Sequence, residues 1–430
     1  MKNKKIFVLS WFYPPINSSE SFVTYKLLSH SGFEYDVWTR EGSDDSIWDR
    51  KVKDEELKSP NVKVITGSSN MGQWIEDAYN YFVQHKNEYS AVMTRSMPPE
   101  AHLVGERIKK NFADIKWVAS YGDPLVGTPY LNVGKNRNPY LLRKYIEEES
   151  PSKLRTIRIA LSPMRNAQKM IWNKLQKKLG ASTNYTKIND VTLKGADVVI
   201  VNNQYQLKHI FSGRYKELIN KGLIIPHSFD STMYDNVKKG KNQKIIFSYT
   251  GHLDDIRNAR VLLQALNDLL HRDKDLSDKI EVNFYGHLSD KDKLYIVDNG
   301  LTDIVRLRGD ISYIKSLKIM KESNWLLLFD ANFSEEMDEN IYLPAKLIDY
   351  IGASTSILAI TQAVGASADI VRQVGNGIVC THSKDEVLMY LAKIIYQQYK
   401  PEKINEDERK KFEAAFVAKR LDIYLGELLK

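Results

Sequence analysis

Short runs of β-branched and aromatic residues alternate along most of this chain with stretches in which apolar residues recur at helical spacing. That alternation is the signature of βα units wound around parallel sheets. In the first half the runs predict strands at Lys5–Leu9, Tyr35–Thr39, Val62–Thr66, Ala91–Thr94, Lys116–Ala119 and Val198–Val201, separated by helices near Glu20–His30, Gly72–His85 and Pro99–Asn111. A second series starts at Lys244, where the polar stretch from Asp235 to Gln243 gives way to KIIFSYT. It continues with strands at Ile280–Tyr285, Ile304–Leu307, Trp325–Phe329, Ser356–Ile360 and Gly377–Cys380, and with helices at Arg257–Leu270, Tyr313–Lys321, Pro344–Tyr350 and Asp385–Tyr396. The expected class is α/β, with two Rossmann-like doubly wound domains joined near Pro226–Gln243. A last helix is expected from Glu406 to Lys430, with Asn405 as N-cap and Glu408 as its capping-box partner. Phe412, Phe416, Ile423 and Leu425 are its expected packing residues.

Length and composition narrow this picture. A chain of 430 residues accommodates two or three domains with substantial cores, and 7 Trp, 24 Tyr and 14 Phe argue against intrinsic disorder. The single cysteine, Cys380, can form no intramolecular disulfide, which fits a reducing compartment. The amino terminus has the basic start and apolar continuation of a signal peptide. Its apolar run from Ile6 to Tyr13 stops at Pro14-Pro15 without a small-residue cleavage site, so it reads as a first buried strand. No apolar stretch approaches the roughly 20 residues of a membrane span. The expected location is the cytoplasm, with the inner face of the cell membrane as a place of peripheral contact.

The charge is localised. The net charge is +8, and Pro151 to Gly180 holds five Lys, three Arg and no acid, so the rest of the chain balances. A basic surface spread over the whole protein, as duplex nucleic acid requires, is thereby disfavoured. Within this segment Met164, Ala167, Ile171, Leu175 and Leu179 recur at helical spacing. Such a helix suits an anionic leaflet or an acidic, lipid-linked acceptor; the alternative is a helix that packs on its own domain with solvated lysines.

The most informative stretch for chemistry runs from Asn340 to Gly352. Pro344 suits a helix start, where free amides and the helix dipole attract an anion. Lys346 in that first turn runs against the usual preference for acids, and a bound phosphate would explain it. Asp349, three residues on, shares its face, where a carboxylate can accept two hydroxyls of a ribose. The alternative is an amphipathic helix with solvated Lys and Asp. Tyr249-Thr250-Gly251-His252 directly follows a strand, the place of a ligand loop in an open α/β sheet. Gly251 lets backbone approach a diphosphate and Arg257 can neutralise it; otherwise this is a plain turn with a surface arginine. The two sites together favour a nucleotide diphosphate. Asp290-Lys291-Asp292 has the spacing of a metal pair, but acids are favoured at a helix start without any metal, and no His or Cys spacing suits zinc.

The sequence resembles glycosyltransferases of the GT-B fold, specifically the retaining family 4-like group. In the first domain the resemblance rests on Phe12-Tyr13-Pro14-Pro15, on Ser96 to His102 and on Trp117 to Pro124. In the second it rests on Tyr249-Thr250-Gly251, Arg257-Asn258 and Leu343 to Tyr350. It implies an acceptor-binding domain, 1–225, and a nucleotide-sugar-binding domain, 226–405, facing a central cleft, with 406–430 returning to the first domain. It further implies sugar transfer from a nucleotide diphosphate sugar to a glycan or lipid-linked acceptor in bacterial surface polysaccharide synthesis, without metal or other cofactor; the alternatives are a nucleotide-sugar epimerase of the same fold and a degenerate, non-catalytic GT-B partner protein. Gly251, His252, Arg257, Leu343, Pro344, Ala345, Lys346 and Asp349 then contact the donor, and Arg257 and Lys346 stabilise the departing diphosphate. Arg257 stands where the group has Lys, His252 where it has Arg, and Ile341 where it has the first of two Glu. Asn17 to Glu20 replace a glycine-rich loop. On the acceptor side the candidates are Ser18, Ser19, His102 and Asp123. Asp123 is the best placed to orient or deprotonate a hydroxyl, unless it merely starts a turn with Pro124; His102 is alternatively a packed helix residue.

Overall fold

The computed structural model describes residues 5–42, 57–129, 181–235, 237–240, 242–399 and 402–430. The basic segment 151–180, and its reading as a surface helix, lies outside the described residues. Seven strands form the first sheet: β1 (Lys5–Leu9), β2 (Glu34–Arg40), β3 (Val62–Gly67), β4 (Ala91–Arg95), β5 (Lys116–Ser120), β6 (Val198–Val201) and β7 (Gly222–Ile224). Their order is β3-β2-β1-β4-β5-β6-β7 and every pairing is parallel. Six more form the second: β8 (Ile245–Thr250), β9 (Ile280–Tyr285), β10 (Val305–Gly309), β11 (Trp325–Phe329), β12 (Ser356–Ile360) and β13 (Gly377–Cys380), in the order β10-β9-β8-β11-β12-β13, again all parallel.

Helices cover both faces of each sheet, so central strands are buried throughout and read as unbroken apolar runs; WLLLF in β11 is one. Strand order reverses between β1 and β4 in the first sheet and between β8 and β11 in the second. The loops leaving the carboxyl ends of these strands are where an open α/β sheet receives ligands.

The carboxy-terminal element differs from the single helix expected. It forms Glu406–Lys410 and Ala414–Leu428, with the Asn405 side chain accepting from the Glu408 N–H at 3.2 Å. The break falls where this segment pairs with the interdomain linker. The Phe229 N–H donates to the Phe412 carbonyl at 3.0 Å, and the Ala414 N–H to the Phe229 carbonyl at 2.7 Å. That interruption resets the helical phase. Val417, Ala418, Leu421 and Leu425 face inward, whereas Phe416 and Ile423 are exposed. The buried face packs on Ile6, Tyr25 and Leu28 of the first domain. Among the described residues no helix is long and apolar enough to cross a membrane.

Candidate active site

The second domain contributes a wall built around the end of β8. Gly251 sits at φ +128°, and a Cβ there would stand 2.5 Å from Lys346 Nζ. Gly286, after β9, has the same need for a missing side chain: its Cβ would meet the Gly251 carbonyl at 2.3 Å. Two backbones and one ammonium are thus packed into a space that side chains would fill. Lys346 lies in the first turn of the helix Ala345–Ala353, whose N-cap is Pro344 and whose amino end carries no side-chain cap. Its ammonium donates to the Tyr249 hydroxyl at 2.5 Å and lies 4.0 Å from the centre of that ring. Burial pushes the Tyr249 phenol up to about 12, so it stays neutral and donates to the His252 carbonyl at 3.2 Å.

Arg257 joins this cluster from the following loop, three residues before the helix Arg260–Arg272 that the pattern placed from residue 257. Its Nη2 donates to the His252 carbonyl at 3.1 Å, and its own N–H is held by Asp254 Oδ1 at 2.9 Å. His252 points outward, with Nε2 at 3.0 Å from Asp310 Oδ1. Leu343 is buried in the core below the helix start. Gly251, His252, Arg257, Pro344, Ala345 and Lys346 therefore share one strand-end site. Asp349 belongs to the same helix but is 5% exposed, with Oδ1 already accepting from Lys26 Nζ at 2.6 Å and from the Tyr313 hydroxyl at 3.0 Å.

On the first domain Asp123 follows β5 and is open to the cleft. Surrounding protein displaces enough water to raise its carboxyl from 3.8 to about 6; the charge of Glu20 adds to the rise and Arg257, from the opposite domain, opposes it. Glu20 stands in the first turn of the helix Ser19–Ser29. Its carboxylate reaches the buried Arg95 at 3.6 Å, and both its oxygens lie 3.5 Å from where a side chain on Gly122 would start. Arg95 also donates to Ser120 Oγ at 3.1 Å. Ser18 is the N-cap of that helix, accepting from the Ser21 N–H at 3.2 Å, and Ser19 is exposed. His102 has no exposed surface: Nδ1 is 2.7 Å from Thr94 Oγ1, the ring stacks on Tyr121, and burial drops it to about 3, so it lies beneath the cleft wall as a neutral packed ring. Among the described residues no group of three or more His, Cys, Asp or Glu is placed to hold a metal ion.

No protein-family model matches the chain, and no curated protein matches it. Solved structures do. Sucrose-phosphate synthase from Thermosynechococcus elongatus superposes with a TM-score of 0.64 at 13% identity, over 99% of this chain and 98% of that one. The lipopolysaccharide outer core galactosyltransferase WaaB, in its apo form, gives 0.56 at 12% identity over 99% of each chain. An E. coli trehalose-6-phosphate structure bound with UDP-2-fluoro glucose gives 0.55 at 10% identity, also over 99% of each. This is the GT-B fold. At these identities the likeness is one of architecture.

In this GT-B chain the facing walls also touch. Phe22 stacks on Tyr313 with ring centroids 3.9 Å apart and planes 13° from parallel. Asn203 Nδ2 donates to the Ile341 carbonyl at 2.9 Å, and the Tyr205 hydroxyl to Asp369 Oδ2 at 2.6 Å. Ile341, where the resemblance expects an acid, is packed in the apolar cluster around Tyr350. Sequence reasoning did not single out Lys26, Glu20, Arg95 or Tyr313. For Lys26 a signal existed: Phe22, Val23, Tyr25, Leu27 and Leu28 surround it in one helix, leaving its ammonium no evident watery side.

Proposed function

We propose that the protein transfers a sugar, with retention and without a metal, from a nucleotide diphosphate sugar to a glycan or lipid-linked acceptor in bacterial surface polysaccharide synthesis. The observation that carries this reading is the convergence of Gly251, Lys346, Arg257 and an uncapped helix start on one spot, across the cleft from Asp123. The bond between the anomeric carbon and the diphosphate oxygen breaks, and the charge left on that oxygen is met by Lys346, Arg257 and the first amides of the helix. Asp123, ionised at neutral pH, orients the acceptor hydroxyl and takes its proton as that oxygen bonds to the anomeric carbon on the face the diphosphate leaves, which keeps the sugar configuration. Residues 1–225 hold the acceptor and residues 226–405 the donor. The basic stretch from Pro151 to Gly180 brings the enzyme to anionic lipid at the inner face of the cell membrane.

Calorimetry with UDP, GDP and dTDP tests the donor half. One of them should bind, and Lys346→Ala or Arg257→Ala should weaken it about 100-fold, the loss of one strong charge-assisted contact, without lowering the melting temperature. Affinity untouched by either change overturns the reading. Incubated without acceptor, the matching nucleotide sugar should keep its sugar configuration; an epimerised product would assign the site to a different reaction.

A further inference from the structure

Lys26 is 1% exposed on a helix buried on nearly every face. An ammonium so far from water persists only when paired and hydrogen-bonded. Its partners come from the other domain: Nζ donates to Asp349 Oδ1 at 2.6 Å and to the Tyr313 hydroxyl at 3.0 Å, and that hydroxyl donates to the same Oδ1 at 3.0 Å. One turn earlier Phe22 lies flat on the Tyr313 ring. First-domain residues thus close over a carboxylate of the second.

That carboxylate stands three residues along the helix from Lys346, an axial rise of about 4.5 Å. A nucleotide whose phosphates lie at the Lys346 end carries its ribose toward Asp349, where a carboxylate can accept both vicinal hydroxyls. The Lys26 ammonium fills that place, and at 5% exposure Asp349 has no room for a sugar beside it. We infer that Lys26 is an internal competitor of the donor ribose for Asp349, so that nucleotide binding and withdrawal of Lys26 are a single equilibrium. This rests on the donor reading of the second domain. Withdrawal moves the helix Ser19–Ser29 away from the second domain, which places Lys26 in water and leaves Asp349 to the hydroxyls, so neither charge stays buried and alone. The affinity of the free protein is lowered by the fraction held closed.

The test compares UDP with 2′,3′-dideoxy-UDP. Lys26→Met should bind UDP about tenfold tighter than the unmodified protein, the gain expected if the pair holds roughly nine molecules in ten closed. The dideoxy nucleotide, having no hydroxyls to offer Asp349, should gain little. Tyr313→Phe, which keeps the charges and removes two hydrogen bonds, should give a smaller gain and guards against misfolding of Lys26→Met. In the unmodified protein, nitrogen-15 NMR should show a protected Lys26 ammonium that is lost on saturation with UDP. If UDP binds but Lys26→Met leaves it unchanged or weaker, if the dideoxy nucleotide gains as much, or if the ammonium signal survives saturation, the inference fails and the donor reading stands. If no nucleotide binds the protein or either variant, both fail.

Discussion

In the second domain the groups facing the cleft are fixed by the backbone: Gly251 and Gly286 interlock without side chains, and Lys346 and Arg257 are set by a helix start and an aspartate turn a few residues away. In the first domain they are fixed by side chains from distant parts of the chain, with Glu20 against Arg95, Arg95 against Ser120, and Asp123 tuned by Glu20 and by Arg257. A wall held by backbone keeps its shape when one side chain changes. A wall held by charge pairs changes its chemistry when one partner goes, because each charge sets the proton affinity of the next.

The sharpest separation of the two walls is Asp123→Asn. Loss of a positioned base should lower turnover by about 10²–10⁴-fold while calorimetry finds nucleotide affinity unchanged. Weaker nucleotide binding would show that the walls are not separable. Next in size, Lys174, Lys177 and Lys178 changed together to Ala should reduce flotation with anionic liposomes about 100-fold, at about 1 kcal/mol for each lysine near the surface. Equal flotation would remove the membrane from the proposed function. Gly251→Ala should weaken nucleotide binding about tenfold, because it strains a φ of +128° and displaces the Lys346 ammonium. An unchanged constant would mean that the backbone wall yields as readily as the other.

The smallest effect concerns protons. Activity that needs the Asp123 carboxylate should rise with pH through a limb centred near 6 and then level off. Glu20→Gln removes a negative neighbour and should move that limb to lower pH, which a role for Glu20 in folding alone would not do. The same shift has a cost in stability. The carboxyl is raised from 3.8 to about 6, so the folded protein binds more protons than the unfolded chain between those values and loses stability as pH rises across them. Above that window Asp123→Asn should melt higher than the unmodified protein.

Both sheets were legible in the apolar runs because helices bury their central strands on both faces. β7 was not: GLI is three residues long and half-buried at an edge, too short to show a period. The helix Ala366–Val374 was not singled out either, although its second half carries a signal: Ile370, Val371 and Val374 are buried together at helical spacing, while Ala366, Ser367 and Ala368 hide its first turn. Four packing residues were assigned to one terminal helix, but the break at Phe412 shifts the phase and leaves two of them in solvent. At the cleft, the meeting of Gly251 with Lys346 was foreseeable from a strand end and a helix start, each read within a few residues. Glu20 was hidden by a sufficient local explanation, for an acid in a first helical turn needs no other. The apolar neighbours of Lys26 marked it as buried, but its partner was hidden by distance, lying 323 positions away with nothing in either neighbourhood to name the other.

The polypeptide passes between the domains twice, and the two passages are laced together at Phe229, Phe412 and Ala414. β1 and the helix Ala414–Leu428 consequently ride on the same half. A fluorophore pair placed on those two elements would keep a constant separation however far the cleft opened, and would be blind to the motion. One dye on Ala414–Leu428 and another on the helix Lys384–Ile395 would see it. An anchor fused through the terminal helix would likewise hold the first domain still and leave the second free to move.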